Sequence, residues 1–468
     1  MFRVYVDFNK KTRAWDGFGL QYLETFDTPD ITKKHQDYGG FSLLSHDDRD
    51  RVVQLLFGND GPKPAILRIF LDPFHQSAAQ DSKVTEDTLV DRIGFDHESS
   101  TTWTREFLSS ALSAIREWGG ALKVIVNCPA PPSWMTKQNE ISGRDLDPAN
   151  RINYARYMVS WIKYLKEKEQ IPVYALSIHN QGENLNFWDD NGHFIHKSQN
   201  MYNLFWPPEQ VNDFLGLIRR ILDKNSLEDI IITPGDTTNF VHFHEWGYSG
   251  AIADNPKALD SLGLITSNGF ANQVNGRYCG DWRSAGIDIL RELKPDLHAW
   301  ATSIGTTKND PELVWEFHNH IYGSKVNAII SGNSTHLQNK GPNHLSMISI
   351  KNDGSWEINP RYYYLQAISK AGQPGMSVCQ VSSNSSDIFI IGFANNNSRN
   401  PDSFVVVNLS EKDLELPIEI RGSASSSFCV YRTSQNEKFI RIGAVPIREG
   451  KIHYKSAAQS VTSFFGTL

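Results

Sequence analysis

Carboxylates, amides and flat aromatic side chains gather just after a series of short apolar runs in this chain. Glu24 closes the run 17–24. Asp72 follows 65–71, a run that contains Arg68. Asn127 ends 122–128 and leads into Pro131-Pro132-Ser133-Trp134. Asn180, Gln181 and Glu183 follow 173–179, with Trp188 further on. Asp236 follows 230–234, Asn268 sits in 264–270, Trp300 and Ser303 lie in 298–304, and Asn333 and His336 follow 326–331. Amides and carboxylates suit sugar hydroxyls, which need both donors and acceptors, and indole rings suit sugar faces. Any one of these residues reads equally well as a cap or loop anchor; their conjunction points to a carbohydrate.

That conjunction requires elements that bring eight run ends to one rim. The runs are rich in β-branched and aromatic residues, as buried parallel strands are. Between them lie stretches with the 3.6-residue period of helices: 104–118, 148–169, 208–222, 284–293, 311–322 and 360–370. In 148–169, Tyr154, Met158, Trp161 and Leu165 form one stripe, read as core packing. Eight strand–helix units predict a (β/α)8 TIM barrel over 15–372, whose working face is the C-terminal end of the strands. From 373 to 468 short alternating runs and turn-rich stretches predict an antiparallel β-sandwich, and the alternating start 1–14 is expected to add a strand to it.

The chain has 468 residues, 40% hydrophobic and 21% charged, which excludes a disordered or fibrous chain. Its net charge of −7 and lack of a basic run argue against a nucleic-acid partner. No apolar run reaches the length of a membrane span. Cys128, Cys279, Cys379 and Cys429 form no CxxC pair. His242 and His244, next to Glu245, alternate so that on a strand both would face one way, but a third ligand is not evident, so neither a metal nor another cofactor is expected. The start lacks the apolar core of a signal peptide. Two locations stay open: inside the cell, or, preferred, secreted or periplasmic with the signal removed.

Asp16-Gly17-Phe18-Gly19, the Pro131-Pro132-Ser133-Trp134-Met135 exit and Leu176-Ser177-Ile178-His179-Asn180-Gln181 resemble glycoside hydrolase family thirty of clan A. Arg361-Tyr362-Tyr363-Tyr364-Leu365 and Pro374-Gly375 resemble that family's last barrel helix and its crossing into the sandwich. The family includes glucosylceramidases, xylanases and β-1,6-glycanases. The resemblance implies a glycosidase acting on a β-linked oligosaccharide or polysaccharide, with two carboxylates roughly 5–5.5 Å apart in a retaining mechanism.

At both carboxylate positions this sequence departs from the family. The acid/base position, by its match to Asn-Glu, is Gln181, and an amide has no proton to give. The nucleophile position, in Trp300-Ala301-Thr302-Ser303, is Ser303, a hydroxyl without an evident base. Three explanations compete: Gln181 is a Glu→Gln replacement of the kind made to trap a substrate; Glu183 is the acid, displaced by two residues; or the protein binds sugars without cleaving them. A divergent inverting or transglycosylating branch would need another carboxylate, Asp236 first, then Glu24, Asp72 or Glu245. A lyase on the same rim is a weaker reading. Glu24, Arg68, Asp72, Asn127, Trp134, Asn180, Trp188, Asn268 and Trp300 are the expected substrate contacts. Arg68 is expected to pair with Asp72.

Overall fold

The computed structural model describes residues 3–25, 37–74, 85–86, 89–90, 97, 101–195, 202–270, 282–305, 308–338 and 345–467. After β1 (Val4–Ala14) come eight parallel strands: β2 (Gly17–Gln21), β3 (Ile66–Phe70), β4 (Lys123–Asn127), β5 (Val173–Ser177), β6 (Ile231–Thr233), β7 (Leu264–Ser267), β8 (His298–Ala301) and β9 (Ala328–Leu337). Each lies in one of the windows expected from sequence, except that β9 runs on past its window. Around them stand α1 (His46–Phe57), α2 (Thr102–Glu117), α3 (Arg151–Glu167), α4 (Pro208–Lys224), the short α5 (Phe240–Glu245), α6 (Tyr248–Ala253) and α7 (Pro256–Ser261), then α8 (Ala285–Leu293), α9 (Pro311–Tyr322) and α10 (Pro360–Ala371). Helix α1 was not anticipated, although Ser45 caps it and Asp47 and Asp48 fill its first turn.

The ladder is continuous from β9 through β2 to β6, and β7 and β8 rejoin it at β9. Between β6 and β7 the regular ladder is missing, because Pro234 has no N–H to give and the chain turns at Gly235. Individual bonds close this seam: Gly263 N to Ile232 O at 3.0 Å and Asn268 N to Thr237 O at 2.9 Å. The Thr266 hydroxyl adds contacts to Thr233 Oγ1 and the Gly235 carbonyl, at 2.8 and 3.0 Å.

Side chains alternate across each strand. Leu67 and Ile69 join the core under the helices, whereas Ile66, Ile125, Ala175, Leu264, Trp300, Ala328 and Ile330 fill the barrel interior. Two residues further along several strands the same inward face turns polar, and that phase positions the site.

Two strands not foreseen, β10 (Ser346–Ile350) and β11 (Trp356–Ile358), extend the barrel sheet beyond β9. The C-terminal strands are β12 (Ser377–Ser383), β13 (Ile388–Ala394), β14 (Ser403–Asn408), β15 (Leu414–Arg421), β16 (Ser427–Ser434), β17 (Ile440–Pro446), β18 (Lys451–Ser456) and β19 (Ser460–Gly466). They form one sheet in the order β17-β16-β19-β14-β13-β12-β1-β15-β18. The N-terminal strand β1 pairs antiparallel with β12 and parallel with β15, the sheet's one parallel pairing among the described residues. The end strands β17 and β18 are consecutive in the chain, so the sheet folds over a core that includes Val6, Phe404, Phe428 and Phe464. Trp15 fastens it to the barrel, packing its ring at a tilt against Phe18 and Phe393 and donating to Gly372 O at 2.9 Å.

Candidate functional site

The C-terminal mouth of the barrel carries a buried polar ring with a member from each strand or its exit. The members are Gln21, Arg68, Asn127, Ser177, Asp236, Asn268, Thr302 and Asn333, joined by Asn180 just past β5. Gln21, Arg68, Asn127, Ser177 and Thr302 each fall two residues beyond an inward position, which is the strand alternation carried one step outward. On β9 the register against β2 slips by one between Ile330 and Asn333, where Gly332 takes φ +148°, so Asn333 lands opposite Gln21.

Arg68 and Asp236 hold the ring together. Arg68 Nη2 donates to Asp236 Oδ2 at 2.6 Å and to Asn180 Oδ1 at 3.1 Å. Its Nη1 reaches Asn268 Oδ1, the Thr302 carbonyl and Gln21 Oε1 at 3.3, 3.2 and 3.5 Å. Asp236 also accepts from Asn127 Nδ2 at 2.8 Å, Ser177 Oγ at 3.0 Å and Thr302 Oγ1 at 2.7 Å. Asn268 donates to Asn180 at 3.1 Å, and Gln21 donates to Asn333 at 2.7 Å. Both charges are buried, and each is matched by the other and by hydrogen bonds, the arrangement that makes a buried ion pair tolerable. Contrary to the expectation from sequence, Arg68 therefore pairs with Asp236 and not with Asp72. Asp236, first choice as an inverting base, has its carboxylate occupied by four donors. The turn that delivers it needs Gly235 at φ +95°, because a Cβ there would sit 2.1 Å from His179 Cδ2.

The two positions matched to the family carboxylates each directly follow a member of this network. Gln181 follows Asn180 and takes a left-handed φ of 49°. Its N–H donates to Asp236 O at 2.5 Å, and its Nε2 lies 3.4 Å from Thr238 Oγ1. Ser303 follows Thr302; its carbonyl accepts from Gly269 N at 2.7 Å, and its hydroxyl makes no hydrogen bond among the described residues. Glu183 accepts from Thr238 N at 2.5 Å and sits 3.1 Å from His242 Nδ1. Burial pushes its pKa up, but these bonds outweigh burial and hold it below the usual value. Both bonds fall on Oε1, while Oε2 is buried and makes no hydrogen bond among the described residues.

Other expected contacts take structural places. Trp300 lies at the opposite end of the barrel: its Nε1 donates to Asp16 at 2.7 Å, and its ring stacks on Tyr174. Its strand phase, two residues before Thr302, puts it in the apolar interior. Trp188 is buried among Phe187, Phe194 and Phe205 and donates to Ser142 O at 2.6 Å. Trp134 is half-buried in a short 3-10 turn, Ser133–Met135. Asp72 accepts from Phe74 N and Thr25 Oγ1. His242 and His244 sit on helix α5, not on a strand, and turn to Glu183 and Ser249. Among the described residues no group of three or more His, Cys, Asp or Glu gathers as metal ligands. Cys128, Cys379 and Cys429 are free; Cys279 lies outside the described residues.

Glu24 caps α2, accepting from Thr104 N at 2.8 Å and Trp103 N at 3.3 Å. Burial raises its pKa to about 8, helped by Asp37 and Asp72 and opposed by Thr104. The unfolded chain releases this proton near pH 4 while the folded chain keeps it. Stability is therefore expected to fall between about pH 4 and pH 8, by at most ~1.4 kcal/mol per pH unit from this group. Glu24→Gln, an isostere of the protonated carboxyl, should flatten that loss when urea unfolding is compared at pH 5 and pH 8. Equal losses in both proteins would contradict it.

Comparison with profiles of known protein families gives no match, and comparison with curated protein sequences gives none either. Solved structures do match. The catalytic domain of a GH30 xylanase from Talaromyces cellulolyticus superposes with a TM-score of 0.73 at 14% identity, over 99% of this chain and 100% of that one. A GH30 subfamily 8 xylanase from Clostridium acetobutylicum gives 0.71 at 18% identity, over 99% of each chain. An endo-β1,6-glucanase gives 0.68 at 17%, over 99% of this chain and 94% of that one. The chain therefore shares its fold, over nearly its whole length, with solved glycoside hydrolase family 30 structures.

Proposed function

We propose that this protein is a glycosidase-type protein that takes a β-linked oligosaccharide or polysaccharide across the barrel mouth, with residue 181 beside the glycosidic bond. The polar ring carries this reading. It fixes amide, hydroxyl and guanidinium groups at one rim, and it anchors the residue after Asn180 through Asp236 O. The ring positions; residue 181 decides whether a proton can be delivered to the leaving oxygen. With Gln181 the chain holds glycan and turns it over slowly or not at all. Calorimetry with xylohexaose and gentiohexaose, alongside release of reducing ends, tests this. Binding without cleavage by the chain, and cleavage by Gln181→Glu, is the expected pair of results. Absence of binding to every glycan in a broad panel would overturn the reading.

A second reading has its own observation. Among the described residues Ser303 has no hydrogen-bonded base, and Asp236 is occupied by four donors, so neither offers a nucleophile or a water-activating carboxylate. On that view the protein is a carbohydrate-binding pseudoenzyme. It predicts that Gln181→Glu still binds glycan but releases no reducing ends.

A further inference from the structure

Outside the mouth, a groove of about 560 Å³ lies between the barrel and the nine-stranded sheet. Asp310, at the start of α9, and Tyr363 and Tyr364, near the start of α10, form its barrel wall. Gln435 and Lys438, in the turn between β16 and β17, and Glu411, after β14, form the other. In a (β/α)8 barrel the helices begin at the C-terminal ends of the strands, so the groove opens on the same side as the polar ring. Arg361 ties the two places together: its Nη2 donates to Ser331 O at 2.7 Å, two residues before Asn333 of the ring.

The lining chemistry is mixed in the way a sugar demands. Glu411 and Gln435 are exposed and make no hydrogen bond or ion pair among the described residues. Lys438 Nζ stands 5.3 Å from the centre of the Tyr363 ring, placing an ammonium donor beside an aromatic face. Asp310 uses one carboxylate oxygen to cap Glu312 N at 2.9 Å. Two carboxylates against one ammonium disfavour an anionic ligand. The volume falls within the range of small-ligand clefts, and the outer wall is rich in unengaged donors and acceptors.

We propose that this groove is a second glycan subsite, taking neutral sugar units of a chain whose scissile bond lies at the mouth. The proposal rests on the reading of the mouth as a glycan site. The experiment is hydrogen–deuterium exchange on the full chain with xylohexaose, gentiohexaose or cellohexaose, against the corresponding disaccharides, together with calorimetry of Glu411→Ala/Gln435→Ala. Both substituted residues are exposed, and the fold does not depend on them. At least one hexasaccharide should protect peptides over 433–438 and 360–364 as well as those over 176–183, while its disaccharide protects only the last. The double variant should weaken hexasaccharide binding at least fivefold and leave disaccharide binding within twofold. Protection at the mouth alone, or unchanged hexasaccharide affinity, overturns the groove and leaves the mouth standing. Protection in the groove alone supports the groove and overturns the mouth. Protection at neither overturns both.

Discussion

Gln181→Glu is expected to raise the rate of glycosidic cleavage by about 10²- to 10⁴-fold, the usual contribution of a positioned general acid, with its proton passing to the leaving oxygen and a solvent water adding to the anomeric carbon. The replacement is isosteric, so the backbone bond from residue 181 to Asp236 O and the left-handed turn should persist. The Thr238 hydroxyl, next to Gln181 Nε2, can then donate to one carboxyl oxygen. Affinity should change little, because the replacement is isosteric and leaves the ring that positions residue 181 untouched, and the gain should appear in kcat. The gain should also fall away once pH rises above the new carboxyl's pKa, since only the protonated form serves as acid. Reducing-end release by the chain and by the variant, followed from pH 4 to pH 8, checks both statements. A variant that binds but gains nothing would assign the chain to the pseudoenzyme reading.

The largest loss of stability is expected from Asp236→Ala. It strands the Arg68 guanidinium in a buried site and removes the acceptor shared by Asn127, Ser177 and Thr302. Breaking one side of a buried ion pair costs roughly 3–5 kcal/mol. Arg68→Met should cost a comparable amount, and the double variant Arg68→Met/Asp236→Ala should cost less than the sum, because neither charge is then left alone. Denaturant unfolding of the three proteins measures this. Additive losses, or a loss below about 1 kcal/mol for Asp236→Ala, would show that the pair does not hold the ring.

Much of this architecture is legible in the sequence. Arg68, Asn127, Asn180, Asp236, Asn268 and Asn333 stood out because a polar group within or just after an apolar strand run is conspicuous. Gln21, Ser177 and Thr302 were missed because they sit within or beside runs and are small or unremarkable in type. Extending the inward period by two residues from Gly19, Ala175 and Trp300 finds them. The same phase places Trp300 in the interior, which residue type alone could not reveal. Trp188 shows the converse: a loop aromatic becomes a packing anchor once Phe187, Phe194 and Phe205 surround it. Helices α5 to α7 are too short to display a helical period, and the alternation of His242 and His244 imitated a strand. The partner of Arg68 was also illegible, since Asp72 is near in sequence and Asp236 near only in space.

A crystal of the chain grown with a bound oligosaccharide tests the central claim most directly, through the distance from the residue 181 side chain to the nearest glycosidic oxygen. The account predicts about 2.6–3.2 Å, hydrogen-bond reach of the leaving oxygen, with Asn180 on a neighbouring sugar hydroxyl. A saccharide seated at the mouth with residue 181 well beyond that reach, or seated elsewhere with the mouth empty, would contradict it.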